Sequence, residues 1–236
     1  MHDRNLNGKY SLGIIFTFVL LASAMLFIFP LINFITGTVY MTSEKFFYSR
    51  IALWAVLLII FLYSLYIEKK TFLLWQEKKY SLGFYIGALV SLYFICLFGG
   101  AFLNAFIQML THEKYSDKII QLSSLFKNNY LLIIFTCLTA GMVEELLMRG
   151  YIQPRIEKIY NNRYLGISIS ALLFGILHST YGTVGQVAVP TFIGIVFAVF
   201  YKKFSNIKIL IICHFMYDFI SLMIMNFVDF KHLSAF

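Results

Sequence analysis

Three groups that contain ionisable residues stand inside apolar runs in the second half of the chain. They are Glu144-Glu145 with Arg149, then Phe174 with His178, then His214 with Asp218. An ionisable side chain at mid-membrane costs roughly 2.5–3.5 kcal/mol on insertion scales, so it needs a partner, a water-filled cavity or a function. Carboxylates and imidazoles packed together can activate a water molecule and stabilise an oxyanion. The residue types therefore predict a hydrolytic site.

Helical spacing separates the possible roles of these residues. Glu145 and Arg149 are four apart with the acid first, which favours an ion pair on one helix face. Glu144 points about 100° away from Glu145 on a regular helix. If Arg149 holds Glu145, Glu144 is the carboxylate left to accept a proton. His214 and Asp218 are also four apart, so the acid could orient the imidazole.

Each group also has a purely structural interpretation. A Glu-Glu pair at a helix end can be an interfacial charge pair, and Arg149 can be a positive-inside anchor. His178 can be an interhelical hydrogen-bond donor, and the third group a structural pair. Phe174 is interpreted as packing, with the small Gly175 permitting close helix approach. The occurrence of all three groups on separate apolar segments favours function.

The composition predicts a polytopic membrane protein. Of the 236 residues, 60% are hydrophobic and 13% are charged, and the mean hydropathy is +0.80. Soluble domains carry about 25% charged residues. A soluble enzyme, a nucleic-acid-binding protein and a disordered chain are therefore excluded. The net charge of +8 is interpreted as loop charge facing anionic lipid. The cysteines are interpreted as small core residues without disulfides: Cys96, Cys137 and Cys213.

Seven apolar segments are long enough, or nearly so, to cross the hydrocarbon core as helices, which takes roughly 20 residues. They are Leu12–Gly37, Ile51–Tyr66, Leu82–Leu103, Tyr130–Met148, Tyr164–Thr180, Val184–Tyr201 and Ile207–Val228. Three of them are short, so the number of membrane spans is predicted to be between six and eight. The predicted fold class is all-α, a polytopic helical protein with a single membrane domain over residues 1–236. Residues 1–128 would supply scaffold helices and residues 129–228 the catalytic core.

Loop charges predict the orientation, because cytoplasmic loops carry an excess of Lys and Arg. The loops that alternate with the N-terminus hold about twice as many of these residues as the opposite loops. The first set is Arg4, Lys9, Lys69, Lys70, Lys78, Lys79, Arg155, Lys158, Arg163, Lys202, Lys203 and Lys208, and the second is Lys45, Arg50, Lys114, Lys118, Lys127 and Lys231. The bias predicts a cytoplasmic N-terminus and an outer C-terminus.

Two familiar hydrolytic motifs are absent from the sequence. The zinc-binding HExxH helix fails because His112-Glu113 is followed by Ser116 where the second His would stand. The serine elbow GxSxG fails at Gly166, because Ser170 occupies the position of the last glycine. Thiol catalysis is also disfavoured, since no cysteine lies close to the acidic group on the same helix face.

Taken in order, the three groups resemble the motif set of the CPBP family of CAAX-protease and bacteriocin-processing (Abi) membrane endopeptidases. This family includes the type II CAAX prenyl endopeptidases. The motifs read Glu144-Glu145-x-x-x-Arg149, Phe174-x-x-x-His178 and His214-x-x-x-Asp218, with the acidic option at the last position. The resemblance covers about residues 130–228. It implies a helical fold around a membrane-embedded cavity, with peptide hydrolysis at a cytoplasmically accessible site.

The resemblance also implies roles for individual residues. The counterpart of Glu144 is the general base for water, assisted by the counterpart of His178. The counterparts of His214 and Asp218 stabilise the oxyanion or orient other groups. A divalent metal such as zinc stays open, because a Glu/His/His set could bind it with a position for water, although the spacing does not require it.

The predicted span ends do not yet bring these residues together. Glu144 would lie near the inner boundary, whereas His178 would lie deep in its span. Convergence therefore requires the fourth and fifth helices to tilt or to extend past their predicted ends.

Three functions from different classes are compatible with the sequence. The first is an intramembrane endopeptidase acting on a peptide, a lipidated C-terminal tail or a membrane-anchored precursor. The length and short loops favour a bacterial plasma membrane, with peptide pheromone or bacteriocin processing or immunity. The second is a non-catalytic scaffold or immunity protein that binds a membrane partner. The third is a proton-coupled transporter using Glu144 and Asp218, which the lack of an inverted repeat disfavours. Membrane lipid is an expected partner and nucleic acid is not.

Overall fold

The chain folds into helices in the computed structural model, which describes residues 4–113 and 117–227. The helices are α1 Arg4–Thr36, α2 Ser43–Glu68, α3 Leu82–Thr111, α4 Asp117–Phe126, α5 Tyr130–Tyr160, α6 Arg163–Leu177, α7 Gly185–Phe204 and α8 Ile207–Phe227. These described residues contain no strand. The predicted all-α, polytopic helical fold is confirmed.

Within the described ranges, 6 helices are long and apolar enough to cross a membrane: α1, α2, α3, α5, α7 and α8. The predicted fifth span, Tyr164–Thr180, is too short to cross the hydrocarbon core as a regular helix. Its helix α6 has 15 residues, about 22 Å at 1.5 Å per residue, which is shorter than the hydrocarbon core of about 30 Å. A tight turn over His178–Tyr181 follows it. The count still lies within the predicted range of six to eight.

The helix ends define two faces of the molecule. We call the face where α1 begins and α5 ends the N-terminal face, and the other the opposite face. Although α6 is short, the chain passes through it from the N-terminal face to the opposite face. It begins beside the end of α5, and just beyond it the Val184 backbone N–H donates to Glu113, which follows the end of α3 (3.0 Å). Consequently α7 begins at the opposite face and α8 ends there.

The predicted end of the fourth span is wrong. Instead of ending at Met148, α5 continues to Tyr160, which places Glu144 near the middle of the span rather than at a boundary. The extension is stabilised by Arg155, which is fully buried. Its Nε donates to both carboxylate oxygens of Glu68 at 3.0 Å, and the Tyr151 hydroxyl donates to the same carboxylate at 2.6 Å. Arg155 is therefore an internal ion-pair partner and not a loop charge.

Lys45 is also buried instead of lying in a loop. Its Nζ donates to Asn33 Oδ1 at 2.6 Å and to the Thr38 carbonyl at 2.7 Å, which ties the start of α2 to the end of α1. Without Arg155 and Lys45, the loop charges of the described residues still show an excess toward the N-terminal face. Lys114, Lys231 and the predicted span end Val228 lie outside the described residues.

Close packing of α6 against α7 depends on Gly175. A Cβ at this position would lie 2.9 Å from the Val187 carbonyl oxygen and 3.0 Å from Thr191 Cβ. The predicted role of Gly175 in close helix approach is confirmed. Because His178 follows on the next turn, this contact also sets the position of that imidazole.

Replacing Gly175 by Ala is expected to destabilise the protein by about 1–3 kcal/mol, because overpacking forces the two helices apart. Thermal unfolding in detergent micelles measures this effect. The matched control is Gly87→Ala in α3, where nothing lies within 4 Å of the added Cβ. There the higher helix propensity of Ala is expected to be neutral or stabilising, by up to about 1 kcal/mol. Equal shifts in the two variants would contradict the role of Gly175.

Candidate active site

The imidazole of His214 is the centre of the site. It lies on α8 and is buried. Its Nδ1 is 2.8 Å from Glu145 Oε1, and since an ionised carboxylate only accepts, Nδ1 is the donor. Its Nε2 is 3.9 Å from Glu144 Oε2 and 3.6 Å from Asp218 Oδ2. The structure thus brings four of the predicted site residues together around one ring.

Glu145 is held from the other side by Arg149. The guanidinium Nη1 donates to Glu145 Oε1 at 3.0 Å, and both side chains are fully buried. The predicted ion pair is therefore present. The guanidinium also lies 4.5 Å over the Phe174 ring and 5.7 Å over the Phe197 ring. The alternative interpretation of Arg149 as an anchor at the membrane boundary is wrong, because the side chain lies in the protein interior.

The central part of α5 has wider turns than a regular α-helix. Hydrogen bonds of the i→i+5 type run through Ala140–Glu144 and Leu146–Ile152, a geometry that often occurs at functional sites. Gly141 lets this segment approach α8 closely, since a Cβ there would lie 2.8 Å from the Ile211 carbonyl oxygen. As a result, Glu144 and Glu145 face the two nitrogens of one imidazole rather than two separate environments.

His178 faces the same space from the end of α6. Its Nδ1 lies 2.8 Å from the Phe174 carbonyl oxygen. A carbonyl oxygen only accepts, so Nδ1 carries the hydrogen and Nε2 is the basic nitrogen of the neutral ring. The Phe174 ring packs against both imidazoles, with centroids 4.7 Å from His178 and 6.0 Å from His214. Glu144 and His178 therefore line one cavity.

The cavity has a volume of about 470 Å³ and extends from Glu144 to the opposite face. Its walls are mainly apolar and come from α2 to α8. At the opposite face it is lined by residues from the start of α2, the start of α7 and the end of α8: Phe46, Arg50, Gly185, Gln186, Ser221 and Met225. The cavity therefore extends from the middle of the bundle to the face opposite the N-terminus. A cytoplasmic N-terminus would place this end of the cavity toward the outer side, whereas the sequence prediction combined it with a cytoplasmically accessible site.

Sequence reasoning missed the contribution of the first half to this cavity. Arg50 was assigned to a loop because the second span was predicted to begin at Ile51, whereas α2 begins at Ser43. The usable signal was Thr42, whose hydroxyl accepts from the Lys45 N–H as a helix N-cap. Asn104 of α3 also lines the cavity and was not singled out.

The orientation of His214 is compatible with metal binding as well as with metal-free hydrolysis. Its Nδ1 donates to Glu145, as the second nitrogen of a metal-ligating histidine commonly does, and its Nε2 faces two further carboxylates. Over residues 4–113 and 117–227, no group of three or more His, Cys, Asp or Glu side chains could hold a metal ion. The cysteines are buried and unpaired, as predicted for core residues.

Residues 126–220 match the family model of the Rce1-like type II CAAX prenyl endopeptidases. The matched segment contains all three motifs. The predicted resemblance is confirmed over this segment, and with it the enzyme class, a protease of the CAAX type in a membrane-embedded fold. No curated protein and no solved structure matches the chain.

Proposed function

From the match of residues 126–220 to the Rce1-like type II CAAX prenyl endopeptidases, we propose that this chain hydrolyses a peptide bond in a membrane-associated or lipidated precursor. The water molecule is activated by Glu144 and histidine. One observation carries the proposal. In an apolar membrane cavity, the Glu144 carboxylate faces His214 Nε2, while Glu145 and Arg149 hold the same imidazole from its other side.

Glu144 acts as the general base. Among the described residues, its Oε2 has no hydrogen-bond partner. The distance of 3.9 Å to His214 Nε2 exceeds a direct hydrogen bond and suits a bridging water molecule. This water gives a proton to Glu144 as its oxygen attacks the scissile carbonyl carbon. The C–N bond then breaks, and Glu144 returns the proton to the leaving amine.

His214 stabilises the oxyanion that this attack creates. When the ring carries both hydrogens, Nε2 donates toward the cavity, and the carboxylates of Glu145 and Asp218 compensate the positive charge. Glu145 and Arg149 act as positioning residues, because they fix the orientation of the ring without reaching the water. His178 assists from the cavity wall, where its ring can orient the attacking water by accepting a hydrogen bond while Glu144 takes the proton.

The cavity mouth faces the outside of the cell in this proposal. The loops of the N-terminal face keep the excess of Lys and Arg that marks a cytoplasmic side, and the mouth lies on the opposite face. The substrate is then a membrane-anchored peptide whose scissile bond is exposed outside. Exported precursors of peptide pheromones or bacteriocins in a bacterial plasma membrane have this form.

Labelling of single cysteines tests this orientation. The native cysteines are buried, so Lys127→Cys and Lys203→Cys provide exposed thiols on the opposite and N-terminal faces. In intact cells, a membrane-impermeant maleimide is expected to label Lys127→Cys and to leave Lys203→Cys unlabelled until the cells are lysed. The reverse pattern would place the mouth in the cytoplasm and overturn the outward assignment.

The proposed activity is tested by incubating the purified protein with apolar and lipidated peptides and identifying new termini by mass spectrometry. Cleavage is expected with and without a chelator, because every step derived above uses side chains of this chain. If a folded, monodisperse preparation cleaves none of these peptides, the endopeptidase proposal fails.

A further inference from the structure

Arg50 stands where two cavities adjoin. It lies in the second turn of α2, about 10 Å from the helix start at 1.5 Å per residue. Its side chain lines the active-site cavity and also a second cavity of about 320 Å³ between α1 and α2. Phe46 and Leu122 line both cavities as well, so the two spaces meet beside the guanidinium. The walls of the second cavity are mainly apolar and include Met25 and Phe29.

The contacts of Arg50 differ from those of the other two arginines inside the helix bundle. Its Nε donates to Ser49 Oγ at 3.3 Å, and the guanidinium lies 4.6 Å over the Phe46 ring. Arg149 and Arg155 each pair with a buried glutamate. In the part of the chain that the structure describes, Arg50 has no carboxylate within ion-pair distance. Arg50 is partly buried between the two cavities, and a cation there without an acidic partner indicates a function for its charge.

The chemistry of the cavity indicates what Arg50 would bind. The charged groups around His214 include the acids Glu144 and Asp218, which repel an anionic group from the catalytic end. A planar guanidinium binds a carboxylate through two parallel hydrogen bonds. A peptide with a carboxylate at Arg50 can place an apolar side chain in the second cavity and run its backbone along the apolar walls toward Glu144.

We infer that Arg50 binds a carboxylate of the peptide substrate at the cavity mouth and thereby selects which peptides are cleaved. This inference rests on the proposed endopeptidase function. The carboxylate belongs either to the C-terminus of the peptide or to an acidic side chain near it. Both sources present the same group to the guanidinium.

The experiment measures binding of a short, fluorescently labelled apolar peptide to protein that also carries Glu144→Gln, so that no turnover intervenes. Three forms of the peptide are compared: a free C-terminal carboxylate, a C-terminal amide, and an amide with Glu as the last residue. Arg50→Gln is expected to weaken binding of the form that carries the recognised carboxylate about ten- to hundredfold. It is expected to leave the plain amide unchanged. The two carboxylate forms distinguish the C-terminus from a side chain.

Two further variants complete the test. Arg50→Lys keeps the charge and is expected to recover part of the lost affinity, since Lys binds carboxylate as a point charge. Lys127→Gln removes an exposed cation near the same face that lines neither cavity, and it is expected to change none of the affinities. Thermal unfolding confirms that each variant is folded.

The inference fails if Arg50→Gln weakens all three peptides equally, which would indicate a structural role, or if it weakens none. A separate result bears on the proposed function. If protein with Glu144 intact binds the carboxylate peptide through Arg50 and never cleaves it or any other peptide, the endopeptidase function is overturned while carboxylate recognition stands.

Discussion

Glu144→Gln is expected to lower the rate of peptide cleavage about a hundred- to ten-thousandfold, the usual contribution of a general base. The amide has nearly the same shape but cannot accept the proton of the attacking water. The Glu144 side chain is 20% exposed and its Oε2 lies 3.9 Å from His214 Nε2, beyond direct hydrogen-bond distance, so the fold is expected to tolerate the change. Cleavage rates from mass spectrometry and thermal unfolding of the same preparations measure the two effects.

Glu44→Gln is the matched control for this variant. Glu44 is exposed in the first turn of α2 and lines neither cavity, so its neutralisation is expected to leave cleavage unchanged. If Glu144→Gln cleaves peptides at the rate of the unmodified protein, at equal protein levels, Glu144 is not the base. The same result in a cellular assay would favour the non-catalytic scaffold or immunity protein.

Arg155→Met is expected to lower the free energy of unfolding by about 3–5 kcal/mol, because removing one partner of a buried ion pair leaves the other charge uncompensated. Glu68 is 2% exposed, and after this change the Tyr151 hydroxyl would be its one remaining donor among the described residues. Arg155 also donates to the Phe72 carbonyl at 3.0 Å, so the loop after α2 loses a contact as well. Thermal or denaturant unfolding in micelles measures the loss.

Two comparisons show whether burial is the cause. Lys202→Met breaks the ion pair between Lys202 and Glu157. The two side chains are 31% and 22% exposed, respectively. There the expected loss is below about 1 kcal/mol. Combining Arg155→Met with Glu68→Leu removes both buried charges and is expected to recover much of the stability. If Arg155→Met costs no more than Lys202→Met, the buried pair does not stabilise the fold as proposed.

The three motifs were recognisable from the sequence because residue type and helical spacing are local properties. Glu145 and Arg149, four residues apart, pair as the spacing predicts. The apolar runs identified the membrane helices, since hydrophobic length by itself decides whether a segment can cross a bilayer. The extent of α5 was not recognisable, because the buried partner of Arg155 is Glu68 on another helix. From the sequence alone, an Arg that follows an apolar run is interpreted as a loop charge, because its partner on another helix is not visible.

The sequence by itself determined that this chain is an all-helical membrane protein with the residues of a CAAX-type protease on three separate segments. Only the tertiary structure decided that Glu144 and Glu145 face opposite nitrogens of His214. It also decided that the cavity extends to the face opposite the N-terminus and that Arg50 lines it there. The physical reason is that composition and spacing act along one helix, whereas wide turns, a close approach at Gly141 and a shared cavity depend on how different helices pack.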